Sequence, residues 1–426
     1  MKIGYFSPLP PKKTGIAAYS AHLLAALREQ ADIHVMDPTL CPDALPSLGD
    51  CDVALYHLGN NPWYHLDIYG VLLREPGIVV LHDTVLYYLV AGLGPGGLAK
   101  EFCLNYGLER LREFDQLVAD CPDGDLLRYP HPERYPFLRR ALAQARAVIV
   151  HSHAAEAAVR AAGYRGRVAV IPLLAYPPRE RQTSAELGPL RARLGLAAHE
   201  IVIGCFGFLD PTKRLISLLR AVDLVRGRWP LKLLIVGEGD EGPVQQEVNR
   251  LRLGDLVIRP GFVADEDFVR YLALADIVAN LRYPSMGESS ATLIQAFALA
   301  RPCVVTNHAW FSELPDACVW KIRYGEGEVD DLAAALSTLA SDPAHRHRLG
   351  QQAREYVEQH CTPADVARRY LDVVEDVAGR RDPAPAVPDP GPGVDPDVED
   401  HGEWVRRYLV SRALRAIPTA EGPREP

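Results

Sequence analysis

Two doubly wound α/β domains in tandem, Rossmann-like and facing each other across a cleft, are the fold this sequence predicts. Three observations carry that expectation. Short β-branched and aliphatic runs alternate with helical patterns from the first residue onward, and continuous apolar runs between helices indicate parallel strands buried on both faces. A polar, proline-containing stretch from Pro172 to Glu200 divides the alternation in two. The length of 426 residues exceeds one ordinary core and suits two domains of near-equal size with extras.

In the first half, strands are expected at Lys2 to Ser7, Ile33 to Met36, Val53 to His57, Ile78 to His82, Val148 to His151 and Val168 to Ile171. In the second half they fall at Ile201 to Phe206, Lys232 to Val236, Leu256 to Arg259, Ile277 to Leu281, Cys303 to Thr306 and Val319 to Ile322. The domain limits are then 1–175 for the first domain, 176–200 for a linker and 201–362 for the second domain. A helix within 363–380 closes the second domain, with a crossing back to the first as the alternative. Residues 381–426 form a tail. Its Asp382 to Asp400 portion is rich in Pro, Asp and Gly and reads as a flexible or polyproline-like linker. Past it, Trp404 to Ile417 carries Arg406, Arg407, Arg412 and Arg415 beside apolar residues, a basic amphipathic segment that either docks on the parent protein or touches a membrane surface.

Composition narrows the function. A net charge of -9 argues against nucleic acid as the main partner, because a nucleic-acid surface needs a basic excess. Eight cysteines are scattered without a CxxC pair, which fits a reducing compartment and no structural zinc. No long apolar segment opens the chain, so a cytoplasmic location is expected, peripheral to a membrane if the tail engages one. Ligands of open α/β sheets bind beyond the carboxyl ends of the strands, and two facing sheets place the site in the cleft between them.

Between Arg282 and Thr306 a loop turns into a short helix and then a buried strand. Ser289, Ser290, Ala291 and Thr292 put small residues where that helix begins, so unpaired N–H groups and hydroxyls converge on an anion with little obstruction. The plain alternative is a capping box formed by Thr292 and Gln295. In the run G-F-L-D-P-T-K-R from Gly207, Lys213 and Arg214 stand just ahead of the helix Leu215 to Val225, where the helix dipole disfavours a cation. That position asks for an anionic partner. A second glycine pattern, Gly237 to Gly242, satisfies G-x-G-x-x-G and raises a dinucleotide-binding alternative. Three acids in or beside it and the absence of a ribose-binding acid at the end of the next strand speak against that.

Phe206 to Arg214, V-G-E-G at Val236 to Gly239, R-P-G-F-V at Arg259 to Val263, A-L-A-D-I-V-A-N at Ala273 to Asn280 and the Arg282 to Thr306 segment together resemble the donor-binding domain of family 4 glycosyltransferases. Lys2 to Ser20 resembles that family's opening strand and glycine loop, and V-V-L-H-D at Val79 to Asp83 its acceptor-side strand ending in histidine. The resemblance covers about residues 1 to 378. It implies a retaining, metal-independent enzyme of the GT-B fold using a nucleotide-diphosphate sugar, with no cofactor. The acceptor would be a carbohydrate, a lipid-linked sugar or a small molecule. Two departures stand out. The family's pair of glutamates falls here on Gly287 and Gln295, with Glu288 adjacent, closer to a subgroup with a G-E-T-S-type loop. Phe208 replaces the usual arginine after the strand glycine.

The roles implied are these. Lys213 and the amides of Ser290, Ala291 and Thr292 meet the diphosphate, helped by Arg214 or Arg282. Ser289 and Gly237 line the donor site, and Gln295 reaches ribose hydroxyls while backbone near Val263 faces the base. Glu288 turns toward the sugar hydroxyls. Gly15 lets the first domain's loop approach the phosphates. His82 orients sugar or acceptor near the anomeric centre; the alternative is a core histidine with one backbone hydrogen bond. The insert from Gly92 to Arg146, with Phe137, Arg139 and Arg140, is expected to shape the acceptor site. A same-fold epimerase and a catalytically silent nucleotide-sugar-binding protein remain the rival functions.

Overall fold

The computed structural model describes residues 1–36, 51–176 and 184–379. Part of the expected linker and the tail with its basic segment lie outside these residues. Every one of the twelve expected strands is present: β1 Lys2–Phe6, β2 Asp32–Met36, β3 Val53–Leu58, β4 Gly77–Leu81, β5 Ala145–Val150, β6 Arg167–Val170, β7 Ile201–Phe206, β8 Leu231–Val236, β9 Val257–Gly261, β10 Ile277–Asn280, β11 Cys303–Thr306 and β12 Val319–Ile322. They form two six-stranded parallel sheets, ordered β2-β1-β3-β4-β5-β6 and β12-β11-β10-β7-β8-β9. β4 stops at Leu81 and β5 at Val150, so His82 and His151 open the loops beyond the sheet instead of ending the strands. That places both imidazoles at the carboxyl edge where ligands bind.

The helices of the first half are α1 Gly15–Arg28, α2 Pro62–Leu72, α3 Tyr87–Ala91, α4 Gly94–Tyr106, α5 Leu111–Ala119, α6 Arg139–Ala143 and α7 His153–Ala161. Those that follow are α8 Ser184–Arg193, α9 Leu215–Val225, α10 Gly242–Leu251, α11 Asp265–Leu274, α12 Ala291–Ala298, α13 Trp310–Glu313, α14 Glu328–Ser341, α15 Pro343–His360 and α16 Pro363–Ala378. α8 lies where the sequence reading has only a polar linker. Leu187 and Leu190 sit three apart, and these two and Leu196 are buried in the core; that apolar stripe outweighs the propensity cost of Pro189 inside the helix.

α16 leaves the second domain and packs on α1, β3 and β5 of the first. Its Tyr370 is fully buried, with its hydroxyl 3.0 Å from that of Tyr19. The Gly92 to Arg146 insert departs from expectation. Phe102, Phe114, Tyr129 and Phe137 are buried and pack ring against ring or edge with their neighbours, and Arg140 pairs with the buried Glu101. Its aromatic richness builds a core instead of a recognition surface. Among the described residues no helix is long and apolar enough to cross a membrane.

The halves touch directly across the cleft. Thr84 and Val85 donate their N–H groups to the Met286 carbonyl at 2.8 and 3.0 Å. Gly287 makes this approach possible: its φ is +85°, and a Cβ there would lie 1.8 Å from Thr84 Oγ1. Farther along, the N–H groups of His153 and Ala154 at the start of α7 donate to the Glu313 carboxylate at 2.9 and 2.6 Å.

Candidate active site

On the second domain the site is built at the point where the chain order reverses, between β7 and β10. A single tight turn, Pro211–Lys213, follows β7, with Asp210 accepting the Thr212 N–H at 2.8 Å. The turn folds Lys213 back under the strand end, where Nζ donates to the Phe206 carbonyl at 2.6 Å. Gly207 makes room: a Cβ there would sit 2.5 Å from Nζ. Burial, and after it the neighbouring Arg282, pushes the Lys213 ammonium down to a pKa of about 8. Arg282 is held beside it through Thr212, whose Oγ1 accepts from the guanidinium at 3.0 Å. Two cations thus stand together, and the hydrogen-bond partner of one of them is a neutral carbonyl.

After β10 the chain reaches α12. Ser290, not Thr292, is the cap: its Oγ accepts the Leu293 N–H at 3.2 Å, so the Thr292–Gln295 capping box is absent. The N–H groups of Ala291 and Thr292 make no hydrogen bond among the described residues. Gln295, one turn inside, is 3% exposed, and its Nε2 has no partner there. A buried amide donor without an acceptor is costly, and a ligand oxygen would satisfy it.

The first domain faces these groups with imidazoles. His82 lies with Nε2 2.9 Å from His57 Nδ1, and His65 Nδ1 is 3.1 Å from the His57 carbonyl. The His151 ring centroid is 4.9 Å from that of His82, and Tyr19 meets His82 edge-on at 5.3 Å. His151 bonds a backbone carbonyl, that of Ile171; His82 does not, so the picture of a solitary core histidine fails for it. Burial, then the charge of His151, holds His57 and His82 well below the ordinary imidazole range, and burial brings His65 and His151 to about 4. All four rings are neutral near pH 7. The next residue, Asp83, is pushed up to about 7 by burial and then by Glu288 across the cleft, although Asn60 donates its N–H to Oδ2 at 2.8 Å. Asp83 and His57 escaped the sequence reading. Asp83 had a visible signal, following His82 in V-V-L-H-D; His57 had none, since it ends an apolar run.

Several expectations change. Arg214 does not join the site: its backbone is left-handed (φ 56°), and its guanidinium clamps Glu328 at the start of α14, with Ser217 on the same carboxylate at 2.8 Å. A buried carboxylate on the far side outcompetes an open cleft for that cation. Glu288 reaches the cleft but is not free toward a sugar. Its Oε1 is 2.8 Å from Arg282 Nε, out of line with that N–H, and Oε2 accepts from Ser285 Oγ and the Met286 N–H at 3.0 and 2.6 Å. Gly237 serves strand approach, since a Cβ there would lie 2.1 Å from the Gly207 carbonyl oxygen. Gly239 is pressed on Leu209 in the same way, and Asp240 takes the Gly242 N–H, which leaves the G-x-G-x-x-G loop no anion cradle. Ser289 bridges to the first domain through the His151 carbonyl at 3.4 Å. Val263 is partly buried against the shared core, and Gly15 opens α1 with no atom within 4 Å of where its Cβ would stand. Among the described residues no group of three or more His, Cys, Asp and Glu is placed to hold a metal ion.

Two facing six-stranded parallel sheets with a site at the carboxyl edges define the architecture of GT-B glycosyltransferase structures. Residues 200–342 match the family model described as Glycosyl transferases group 1. Anabaena HepE, solved in complex with UDP-glucose, is similar over 88% of this chain and 100% of its own at 18% identity, with a TM-score of 0.63. Sucrose-phosphate synthase from Thermosynechococcus elongatus is similar over 88% of this chain and 99% of its own at 18% identity, with a TM-score of 0.61. WaaG, a glycosyltransferase involved in lipopolysaccharide biosynthesis, covers 89% and 100% at 14% identity and a TM-score of 0.58. No curated protein sequence matches the chain.

Proposed function

We propose that this protein is a retaining glycosyltransferase that moves a sugar from a nucleoside diphosphate sugar to an acceptor hydroxyl without a divalent metal. One observation carries the reading: Lys213, whose ammonium donates to a backbone carbonyl, and Arg282, which pairs with Glu288, stand together at the reversal point of the second sheet, and α12, which follows β10, begins with Ala291 and Thr292 N–H groups that make no hydrogen bond among the described residues. Glu288 offsets one of these two cations, and a diphosphate supplies the anion that Lys213 and the α12 amides lack. The match of residues 200–342 to group 1 glycosyltransferases and the complex of HepE with UDP-glucose support the same ligand class.

In this reading the bond between the anomeric carbon and the diphosphate oxygen breaks while the acceptor oxygen bonds to the same face of that carbon. The acceptor's proton passes to the departing diphosphate. Negative charge grows on the leaving group as this happens, and Lys213, Arg282 and the α12 amides stabilise that growth. Gln295 gives its orphaned amide to the ribose. His82, neutral and positioned by His57, orients the sugar from the first domain. Retention is carried over from the family 4 resemblance. Glu288 would act on sugar hydroxyls only by exchanging its bonds to Ser285 and Met286.

Thermal-shift measurements test it: UDP or GDP should raise the melting temperature, and NAD should leave it unchanged. With a stabilising nucleotide known, the matching sugar donor should be turned over in EDTA. A metal requirement would overturn the phosphate chemistry. An isomerised donor without transfer would make the protein an epimerase, and binding without turnover a silent nucleotide-sugar binder.

A further inference from the structure

Contacts between the halves run in order along the two sheets. At one end Lys13, in the loop after β1, lies over the ring of Phe262 after β9, with Nζ 4.7 Å from its centroid. In the middle the Met286 carbonyl after β10 accepts from Thr84 and Val85 after β4. At the other end Glu313, in α13 after β11, meets the start of α7 after β5, and Ser289 Oγ donates to the His151 carbonyl at 3.4 Å.

The Glu313 contact completes a helix of the other domain. α7 begins with N–H groups that have no acceptor within the helix. The Ser152 cap takes that of Ala155 at 3.0 Å. Glu313 takes those of His153, through Oε2, and Ala154, through Oε1. No Lys or Arg pairs with this carboxylate among the described residues, so the positive end of the α7 dipole is its partner. Glu313 is also held in place: Trp310 and Phe311 anchor α13 in the core, and Lys321 Nζ donates to the Ser312 carbonyl at 3.0 Å. Beside it the packing is loose, with a cavity of about 290 Å³ lined by His151, Ile294, Trp310, Tyr356 and Arg369. The pair itself is open to solvent, where a charge at a helix start contributes modestly and is screened by salt. Such a contact can hold two domains together and still release them.

We infer that Glu313 is a positioning residue, a latch that holds the two domains in the alignment where Ser289 and the start of α12 face the first domain's imidazoles. Its effect on turnover rests on the glycosyltransferase reading; the latch does not. Amide hydrogen exchange tests it with neither nucleotide nor sugar, so its failure and the failure of that reading are distinguishable. The probes are the Thr84 and Val85 N–H groups, whose acceptor is Met286 and not Glu313, and which lose that acceptor when the domains part. In Glu313→Gln and Glu313→Ala these two amides should exchange about fivefold faster than in wild type, together with those of His153 and Ala154. Val79 and Val80, buried in β4, should keep their rates. NaCl at about 1 M should speed Thr84 and Val85 in wild type toward the variants and leave Glu313→Gln nearly unchanged. Faster exchange confined to His153 and Ala154 would make Glu313 a local helix cap and overturn the latch. An equal salt response in wild type and Glu313→Gln would overturn it as well.

Discussion

Lys213 shows how one residue can be named from sequence and still be incompletely described by it. Its place ahead of a helix start signals a cation seeking an anion; its burial and its bond to the Phe206 carbonyl belong to the fold. Lys213→Ala removes a buried charge as well as a hydrogen bond, so the melting temperature should hardly move. Transfer should fall roughly 30-fold to 1,000-fold, the loss of about 2 to 4 kcal/mol of transition-state stabilisation. The pKa gives a second readout. With the ammonium depressed to about 8 in the free enzyme, kcat/KM for the donor should decline as pH rises through that region. Lys213→Arg should recover activity only in part, because a fork replaces a point charge, and should abolish the alkaline decline because a guanidinium keeps its proton. Full activity with alanine at 213, or no alkaline limb in wild type, would remove this lysine from the phosphate chemistry.

Strain marks one of the connecting elements. α13, which carries the Glu313 that clasps the start of α7, is entered through Ala309 at φ 47° and ψ -134°. That region belongs to glycine, and a side chain there costs on the order of 1 kcal/mol or more. Ala309→Gly should therefore raise the melting temperature by about 2 °C despite the added freedom of the unfolded chain. A fall would show that the methyl group contributes packing that outweighs the backbone strain. At this scale the strands were readable and α8 was not. β7, β11 and β12 match their expected limits residue for residue, because strands buried on both faces are continuous apolar runs with turn residues at each end. α8 is short, holds Pro189 and is stabilised by core contacts that no local pattern reports.

For the molecule as a whole, buried histidines set the response to acid. His57, His65, His82 and His151 all have folded pKa values below the ordinary 6.5. Between 6.5 and about 4 the unfolded chain binds more protons at these positions, so their contribution to stability is present above 6.5 and lost as pH falls. Asp83 and Glu101, both raised by burial, act in the opposite sense, gaining as pH falls. Glu247, which the hydrogen bond from Arg250 holds at about 2, adds to the loss at the acid end of this range, and the melting temperature should drop as pH is lowered from 6.5 toward 4. His151→Asn should soften that drop. A flat or rising profile would mean that the imidazoles are solvated or paired in ways this packing does not allow.

The class of fold, the positions of the strands along the chain, the cleft and the lysine at its edge were readable from local patterns, because burial on two faces and helix-start chemistry act over a few residues; the order of the strands within each sheet was not. The partners of the charges do not. Arg214 is 114 residues from Glu328, and Tyr370 is 351 residues from the Tyr19 hydroxyl it meets. Asp83 owes part of its raised pKa to Glu288 on the other domain. Which cation faces the ligand, which histidines form one neutral cluster and which carboxylate is already held depend on desolvation and Coulomb forces between groups that only folding brings together.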